Sequence, residues 1–332
     1  IYQGGYGDIF NQMLTVLGRT YGNLGLLTEA EELSRSALAL ARKQGVEARQ
    51  AELLAELADL SLETGRFLDA YELAGEAVTL GEEPAGANAT SVLALARQGT
   101  AAMDLGRFDD ADALFDRALE EGRRGGEPRA LAEVLERLVD FHMLRGRYDA
   151  AEASGREALE LLLQRLELDA KHPEVLEIKQ RLLSIELFRR EPEAAIPELE
   201  QVVAQQIELH GPDSPFVALS YCLLGDLHRA GDNYEESERY YREALRVGEA
   251  AWGSSHMMVA GVLNNYGMLE SIRGNLDHSA ELFGRVLDIT ERESQKKNPL
   301  YGNALRELSL IDATRGNLAA AEEKYFAALE IL

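Results

Sequence analysis

Gly106-Arg107-Phe108-Asp109-Asp110-Ala111 is the stretch on which the fold turns, because the chain repeats it. The shared pattern is Gly, any residue, an apolar residue, two further residues, then a small one. Earlier copies are Gly25-Leu26-Leu27-Thr28-Glu29-Ala30 and Gly65-Arg66-Phe67-Leu68-Asp69-Ala70. Later ones are Gly146-Arg147-Tyr148-Asp149-Ala150-Ala151 and a degenerate Arg190-Glu191-Pro192-Glu193-Ala194-Ala195. Asp232-Asn233-Tyr234-Glu235-Glu236-Ser237, Gly274-Asn275-Leu276-Asp277-His278-Ser279 and Gly316-Asn317-Leu318-Ala319-Ala320-Ala321 complete the series. Successive copies are offset by 40, 41, 40, 44, 42, 42 and 42 residues. A fixed period of this size is the signature of a repeat architecture.

Each copy has a local physical meaning. The Gly supplies the left-handed residue that ends one helix. The aromatic or Leu two places on opens the next helix and plugs the hairpin. The small sixth residue lets the paired helices approach closely. A second small or β-branched column lies seven residues further on, from Ala37, Ala77 and Ala118 to Val286 and Ala328, on the same helix face. Upstream of each turn, apolar residues recur at i, i+3 and i+4, as in Leu14, Leu17, Gly18 and Tyr21 before Gly25. Pro84, Pro128, Pro173, Pro212 and Pro299 separate the units, and no period-2 strand pattern competes. The pattern predicts an all-α chain of about eight helical hairpins, roughly at 8–45, 47–81, 88–124, 127–170, 173–210, 214–252, 256–295 and 298–332.

These columns resemble the tetratricopeptide repeat (TPR). Its helix-A Leu-Gly-x-x-Tyr is matched by Leu17-Gly18-Arg19-Thr20-Tyr21, and Leu224-Gly225-Asp226-Leu227-His228 keeps the Leu-Gly. Ala111, Phe115 and Ala118 match the helix-B columns. The period near 42 exceeds the usual ~34 residues and resembles the longer-helix subtype of kinesin light chains. That likeness is strongest from His210 to Arg315, on Gly211-Pro212-Asp213-Ser214-Pro215-Phe216-Val217-Ala218 and Val262-Leu263-Asn264-Asn265-Tyr266-Gly267. HEAT and armadillo repeats share a period of about 40–47 residues but not this turn. The resemblance implies a right-handed superhelical solenoid, formed as one domain over 1–332. Ile1 is not Met and Leu332 interrupts an apolar pattern, so a fragment of a longer protein is expected.

Composition narrows the function. Across 332 residues, 58 Asp and Glu against 34 Lys and Arg give a net charge of −24. That balance disfavours nucleic acid, whose phosphates need cationic partners, and an anionic membrane surface. No window approaches 18 consecutive apolar residues, and no signal peptide opens the chain. One cysteine, Cys222, excludes an intramolecular disulfide and fits a cytoplasmic setting. Six Lys against 28 Arg, with abundant Ala and Gly, fit a GC-rich, bacterial source.

No catalytic constellation, cofactor motif or metal site emerges. There is no phosphate-binding Gly-x-x-x-x-Gly-Lys-Ser/Thr, and Gly4-Gly5-Tyr6-Gly7 reads as a tail or linker. The six His residues, His142, His172, His210, His228, His256 and His278, lack metal-ligand spacing. His142 and His228 fall in the Tyr21 column and read as packed residues. Cys222 reads as a small half-buried residue, Trp252 as packing between repeats, and the sequon Asn88-Ala89-Thr90 as idle.

Function is therefore expected in a groove lined by helix A. The resemblance assigns its second, fifth and ninth places: Gln12, Thr15 and Arg19 in repeat one, and Glu52, Ala55 and Asp59 in repeat two. Repeat three gives Leu93, Ala96 and Thr100, repeat four Glu133, Glu136 and Asp140, and repeat five Glu177, Gln180 and Ser184. Repeats six to eight give Leu219, Cys222 and Asp226, then Gly261, Asn264 and Met268, then Asn303, Arg306 and Leu310. Repeats two to five place acids at these positions and no Lys or Arg. Asn264 matches a family position that hydrogen-bonds peptide backbone. A noncatalytic scaffold gripping a basic or amphipathic protein segment is the expectation. The alternatives are a regulatory arm of a bacterial signalling enzyme, a kinase or nucleotide-switch regulator, and self-assembly through the terminal repeats, whose open faces need a cover.

Overall fold

A computed structural model describes residues 13–18, 20–21, 26–81, 88–125, 127–189, 192–292 and 298–331. Gly4–Gly7, Gln12, Arg19, Gly25, Pro84, Arg190, Glu191 and Leu332 lie outside the described residues. Contacts divide the chain into two compact units, Ile1–Asp169 and Ala170–Leu332.

The first unit carries a helix α1 at 13–18, with 20–21 also helical. It continues with α2 (Leu27–Gln44), α3 (Glu47–Glu63), α4 (Phe67–Gly81), α5 (Ala89–Asp104), α6 (Phe108–Gly125), α7 (Pro128–Leu144) and α8 (Tyr148–Glu160). A π-helical turn, Leu161–Arg165, follows α8. The second unit holds α9 (Pro173–Ser184), α10 (Glu186–Arg189), α11 (Pro192–His210), α12 (Pro215–Ala230) and α13 (Tyr234–Trp252). It ends with α14 (Met257–Ile272), α15 (Leu276–Arg292), α16 (Pro299–Thr314) and α17 (Leu318–Leu329). Odd members through α7, α9 and then α12, α14 and α16 are the A helices, and the helix after each turn motif is its B partner. The described residues contain no strand.

The turns form for the reason the motif suggests. Gly65, Gly106, Gly146, Gly274 and Gly316 have φ between 68° and 80°, where a Cβ would be strained. The residue after each donates its N–H back five residues: Arg66 to Ser61 at 2.8 Å, Arg107 to Ala102 at 2.8 Å, Asn317 to Asp312 at 2.9 Å. These bonds satisfy carbonyls the helix end leaves open. In repeat six Asp232, not Gly231, takes the left-handed conformation. Asn88 of the sequon caps α5, accepting from the Ser91 N–H at 2.8 Å.

Both small columns are buried along their length, from Ala30 to Ala321 and from Ala37 to Ala328. A third column pairs a glycine with an aromatic ring in three hairpins. Gly99 faces Phe115, Gly225 faces Tyr241 and Gly267 faces Phe283; a Cβ on these glycines would stand 3.2, 2.7 and 3.0 Å from the rings. In repeat four the order reverses, with Val139 at the helix-A place and Gly155 at the helix-B place. The three rings are fully buried, each stabilising its hairpin by roughly 2–3 kcal/mol. Repeat five is the irregular one: its A helix breaks at Ile185, and its B helix carries Pro197 inside.

Within each unit the A helices also touch one another. α3 packs on α5 and α5 on α7; α12 packs on α14 and α14 on α16. Successive B helices are instead spanned by long side chains. Arg42 reaches Glu76 at 2.5 Å, Arg123 reaches Glu157 at 2.9 Å and Arg285 reaches Glu249. Turn arginines add a second ladder, Arg66 to Glu31 at 2.6 Å and Arg147 to Asp112 at 2.7 Å. The closer packing of the A helices makes theirs the inner side of each unit.

Candidate functional site

The inner side of the first unit is charged and cross-linked. Asp59 on α3 accepts from Arg97 Nε on α5 at 2.6 Å and from Arg137 on α7 at 3.1 Å. Glu133 lies 3.1 Å from Arg137 and 3.4 Å from Arg97, and Arg137 also reaches the Thr100 hydroxyl at 3.4 Å. One network thus spans repeats two, three and four. Burial opposes the Arg137 charge, but Asp59 and then Glu133 more than compensate and hold its pKa above the ordinary arginine range.

This corrects the acidic inner face expected from sequence. The second, fifth and ninth helix-A places do lack Lys and Arg in repeats two to five, but the sixth place supplies Arg97 and Arg137. Asp59 and Glu133 are therefore matched within the unit. Glu52 is also matched, with Arg49 on its own helix at 2.6 Å. Glu136 is half-buried and Asp140 exposed on α7. Asp140 has a neighbour the positional reading omitted, Asp104 at the end of α5. Solvent reaches Asp104, yet enough protein surrounds it that desolvation, reinforced by Asp140, pushes its carboxyl up to about 6. Desolvation, then Asp59, raises Glu63 in the same direction.

The second unit answers differently. Asp226 on α12 accepts from the Tyr241 hydroxyl at 2.6 Å, from Arg229 at 3.2 Å and from Asn265 Nδ2 at 3.1 Å. Desolvation nevertheless raises its pKa. Cys222 sits one turn before it, with Asn265 Nδ2 3.8 Å from its sulfur. Burial, then the Asp226 charge, pushes the thiol pKa up, so Cys222 stays a neutral thiol. Asn265 bridges repeats six and seven. Asn264 is buried and points its Nδ2 at Asn265 Oδ1, 3.2 Å away, and at the Met268 sulfur, 3.8 Å away. Toward repeat five, the Ser220 hydroxyl meets Gln180 and Gln206, each at 2.8 Å. Glu177 and Asn303 are half-buried on α9 and α16, and exposed Arg306 pairs with Glu307 at 2.8 Å.

The structure therefore brings together Asp59 with Glu133, Asp140 with Asp104, and Asn264 with Met268. Glu52 and Arg306 stand apart in local pairs. Of the missed residues, Arg97, Arg137, Asp104, Tyr241 and Asn265, all but Tyr241 lie on A helices, at the sixth place or near the C-terminal end. His142 and His228 do pack: His228 stacks on Tyr240 at 5.3 Å, and desolvation lowers both imidazole pKa values. Among the described residues no group of three or more His, Cys, Asp or Glu could hold a metal ion. No described helix is long and apolar enough to cross a membrane.

Helical hairpins closed by left-handed turns, with small columns and A helices stacked inside, define a helical-repeat protein. The tetratricopeptide repeat pattern matches residues 12–43, 96–162 and 184–250, and the chain belongs to that family. No protein of curated function matches it. Among solved structures it is similar to a Rap protein complexed with Competence and Sporulation Factor, with a TM-score of 0.68, 11% identity, and coverage of 99% of this chain and 98% of that one. It is also similar to the Rap conjugation gene regulator of the plasmid pLS20 in complex with the Phr* peptide, with a TM-score of 0.67, 17% identity, and coverage of 85% and 74%. BtubC (BKLC) from P. vanneervenii aligns with a TM-score of 0.53 and 21% identity over 68% of this chain and 90% of that one. At these identities the likeness is one of fold.

Proposed function

We propose that this chain is a noncatalytic, cytoplasmic interaction module that holds an extended or helical protein segment against its A helices. The observation that carries the reading is the polar inner side of each unit, with side chains fixed by partners yet still partly open. Asp59, Arg97, Glu133 and Arg137 are pre-organised across three repeats, so a ligand would not have to order them. The Rap regulator of similar fold, in complex with the Phr* peptide, supports a peptide as the kind of partner.

The first unit favours a segment with cationic side chains. Its acids on this side are Asp59 and Glu133 in the network, with Glu136, Asp140, Asp104 and Glu63 beside them. The second unit offers Asp226, Asn265 and Cys222 as a hydrogen-bonding stretch suited to backbone groups. Asn264 and Met268 support that stretch from beneath, and Glu177, Asn303 and Arg306 lie along the same A-helix places.

The test is enrichment of a displayed random-peptide library on the whole chain. Enriched peptides should be rich in Lys and Arg and should lose affinity as salt rises. Glu136→Lys with Asp140→Lys should weaken them at least tenfold. Peptides that bind equally to wild type and to the doubly reversed chain would remove the first unit from the reading.

A further inference from the structure

The arginine ladder along the turns has one break. Six residues on from their turns, Glu31, Asp112 and Glu238 each present an acid to an arginine at the next turn, Arg66, Arg147 and Arg273. In repeat two that sixth place holds Tyr71, and Arg107 of the next turn lies over its ring, 5.3 Å from the centroid. The face of a ring attracts a guanidinium but accepts none of its N–H bonds in the plane where a carboxylate would.

A second guanidinium beside it is held in the same way. In the second unit Arg315, just before its turn glycine, pairs with Asp277, three residues after the preceding turn glycine. The corresponding residues of the first unit are Arg145 and Asp109, but there Arg145 lies over the Phe108 ring, 4.9 Å from the centroid. Asp112, whose carboxyl also feels the Arg145 charge, already accepts from Arg147 on both oxygens, at 2.7 and 3.0 Å. Among the described residues neither Arg107 nor Arg145 has a carboxylate within ion-pair distance. Both line one cavity of about 350 Å³, with Gly106, Phe108, Asp109 and Asp110 as the rest of its wall. Stacking on rings pre-orders the two guanidinium forks, which lowers the cost of seating a ligand between them. Such forks match the oxygens of a tetrahedral dianion, which they hold by paired, charge-assisted hydrogen bonds. Asp109 and Asp110 are exposed in the first turn of α6 and offset part of the local charge, so the attraction rests on these short bonds and not on a long-range field.

We propose that this cavity binds an oxyanion of the phosphate class, free or as a monoester on a partner, between Arg107 and Arg145. The site lies at the turn of repeat three and uses none of the A-helix places assigned to a peptide, so it stands or falls independently of that reading. Tyr71 and Phe108 act as its supports, keeping each guanidinium turned away from the acids that would otherwise quench it.

An NMR titration of the arginine Nε–Hε signals of the whole chain with inorganic phosphate tests this, near pH 7.5, where the anion is largely divalent. Sodium chloride at equal ionic strength is the control. Two signals should move and saturate with phosphate, at a dissociation constant of about 1 mM, and should not move with chloride. Arg107→Gln and Arg145→Gln should each delete one of them and weaken the response of the other about tenfold. Tyr71→Glu gives Arg107 the acid that Glu31 gives Arg66, and should weaken binding similarly while leaving both arginines in place. The Arg66 signal, already matched, should stay still. Signals that do not move, that move equally with chloride, or that survive both arginine substitutions overturn the proposal. So does a Tyr71→Glu chain that binds phosphate as the wild type does. A phosphoserine peptide, run against its unphosphorylated form, separates the sources. Movement of the same two signals at equal or lower concentration assigns the site to a modified partner, and weaker or no movement assigns it to the free anion.

Discussion

The two units solve the same packing problem with different materials. The first closes its hairpins largely with Leu and Ala, with a Phe115–Phe141 contact at 5.2 Å as its aromatic centre. The second builds its joints from tyrosines, Tyr221 against Tyr240 and Tyr241 against Tyr266, at 5.9 and 5.8 Å. Their inner sides diverge accordingly. In the first unit guanidinium groups reach across repeats, and Arg137 meets an acid 78 residues earlier. In the second, Asp226 is satisfied by a phenol, an amide and an arginine drawn from two repeats. A small, aliphatic core leaves charges to connect repeats. An aromatic core brings hydroxyl groups that can absorb a buried carboxylate where it stands.

The largest expected effect strikes the aromatic joint. Gly225→Ala would set a methyl carbon 2.7 Å from the Tyr241 ring, whose hydroxyl is anchored on Asp226. It should cost about 3 kcal/mol in urea unfolding, at the upper end of overpacking penalties. Gly99→Ala, 3.2 Å from the freer Phe115 ring, should cost about 1 kcal/mol. Equal costs would erase the contrast between the cores.

Next comes the charged network. Asp59→Ala leaves Arg97 and Arg137 short of their shared acid and should cost about 2 kcal/mol. A double-mutant cycle of Asp59→Ala with Arg137→Met should return a coupling of about 1 kcal/mol. A coupling near zero would mean that the charges do not connect the repeats.

A smaller effect carries a sign that depends on pH. Asp104 is raised in the folded state, so its ionisation penalises folding. The penalty is absent below its unfolded pKa near 3.8 and complete above the folded value of about 6. Asp104→Asn should therefore stabilise the first unit at pH 8 and do nothing at pH 4. Solvent screening at this exposed side chain limits the gain to about 0.5–1 kcal/mol. His142 and His228 run the other way: with imidazole pKa values lowered by burial, they destabilise the fold as pH falls below about 6.5. Stability measured from pH 4 to 8 on Asp104→Asn against wild type separates the two trends. Smallest is the turn ladder: Arg66→Ala should cost about 0.5 kcal/mol, shrinking further in high salt.

Much of the fold was legible because its determinants are local. A turn glycine, a small sixth residue and an apolar stripe each act within a few residues, so their period exposes the hairpins. Repeat five was the weak copy in sequence and is the irregular one in structure, with α9 and α10 separated at Ile185. The candidate site was legible only in outline. Choosing the second, fifth and ninth places found Asp59, Glu133 and Asp226 but not the groups that hold them. Arg97 and Arg137 follow those places by one residue, and their long side chains travel back to acids one and two repeats earlier. Whether an acid is open or matched depends on such reach between helices, which a single-helix pattern does not encode. Asn264 and Asn265 make the same point: adjacent in sequence, they differ by about 100° around the helix, enough to bury one and bridge repeats with the other.

The size pairing in these hairpins carries one more consequence. Gly225 fits Tyr241 and Val139 fits Gly155, so the repeats are keyed individually despite their shared outline. Exchanging α12 for α7 would bring a valine against Tyr241, and the reverse exchange would leave two glycines facing each other across a void. Shuffling or duplicating repeats in this chain therefore succeeds only when whole hairpins move together, and a new array assembled from its parts inherits its hairpins as indivisible modules.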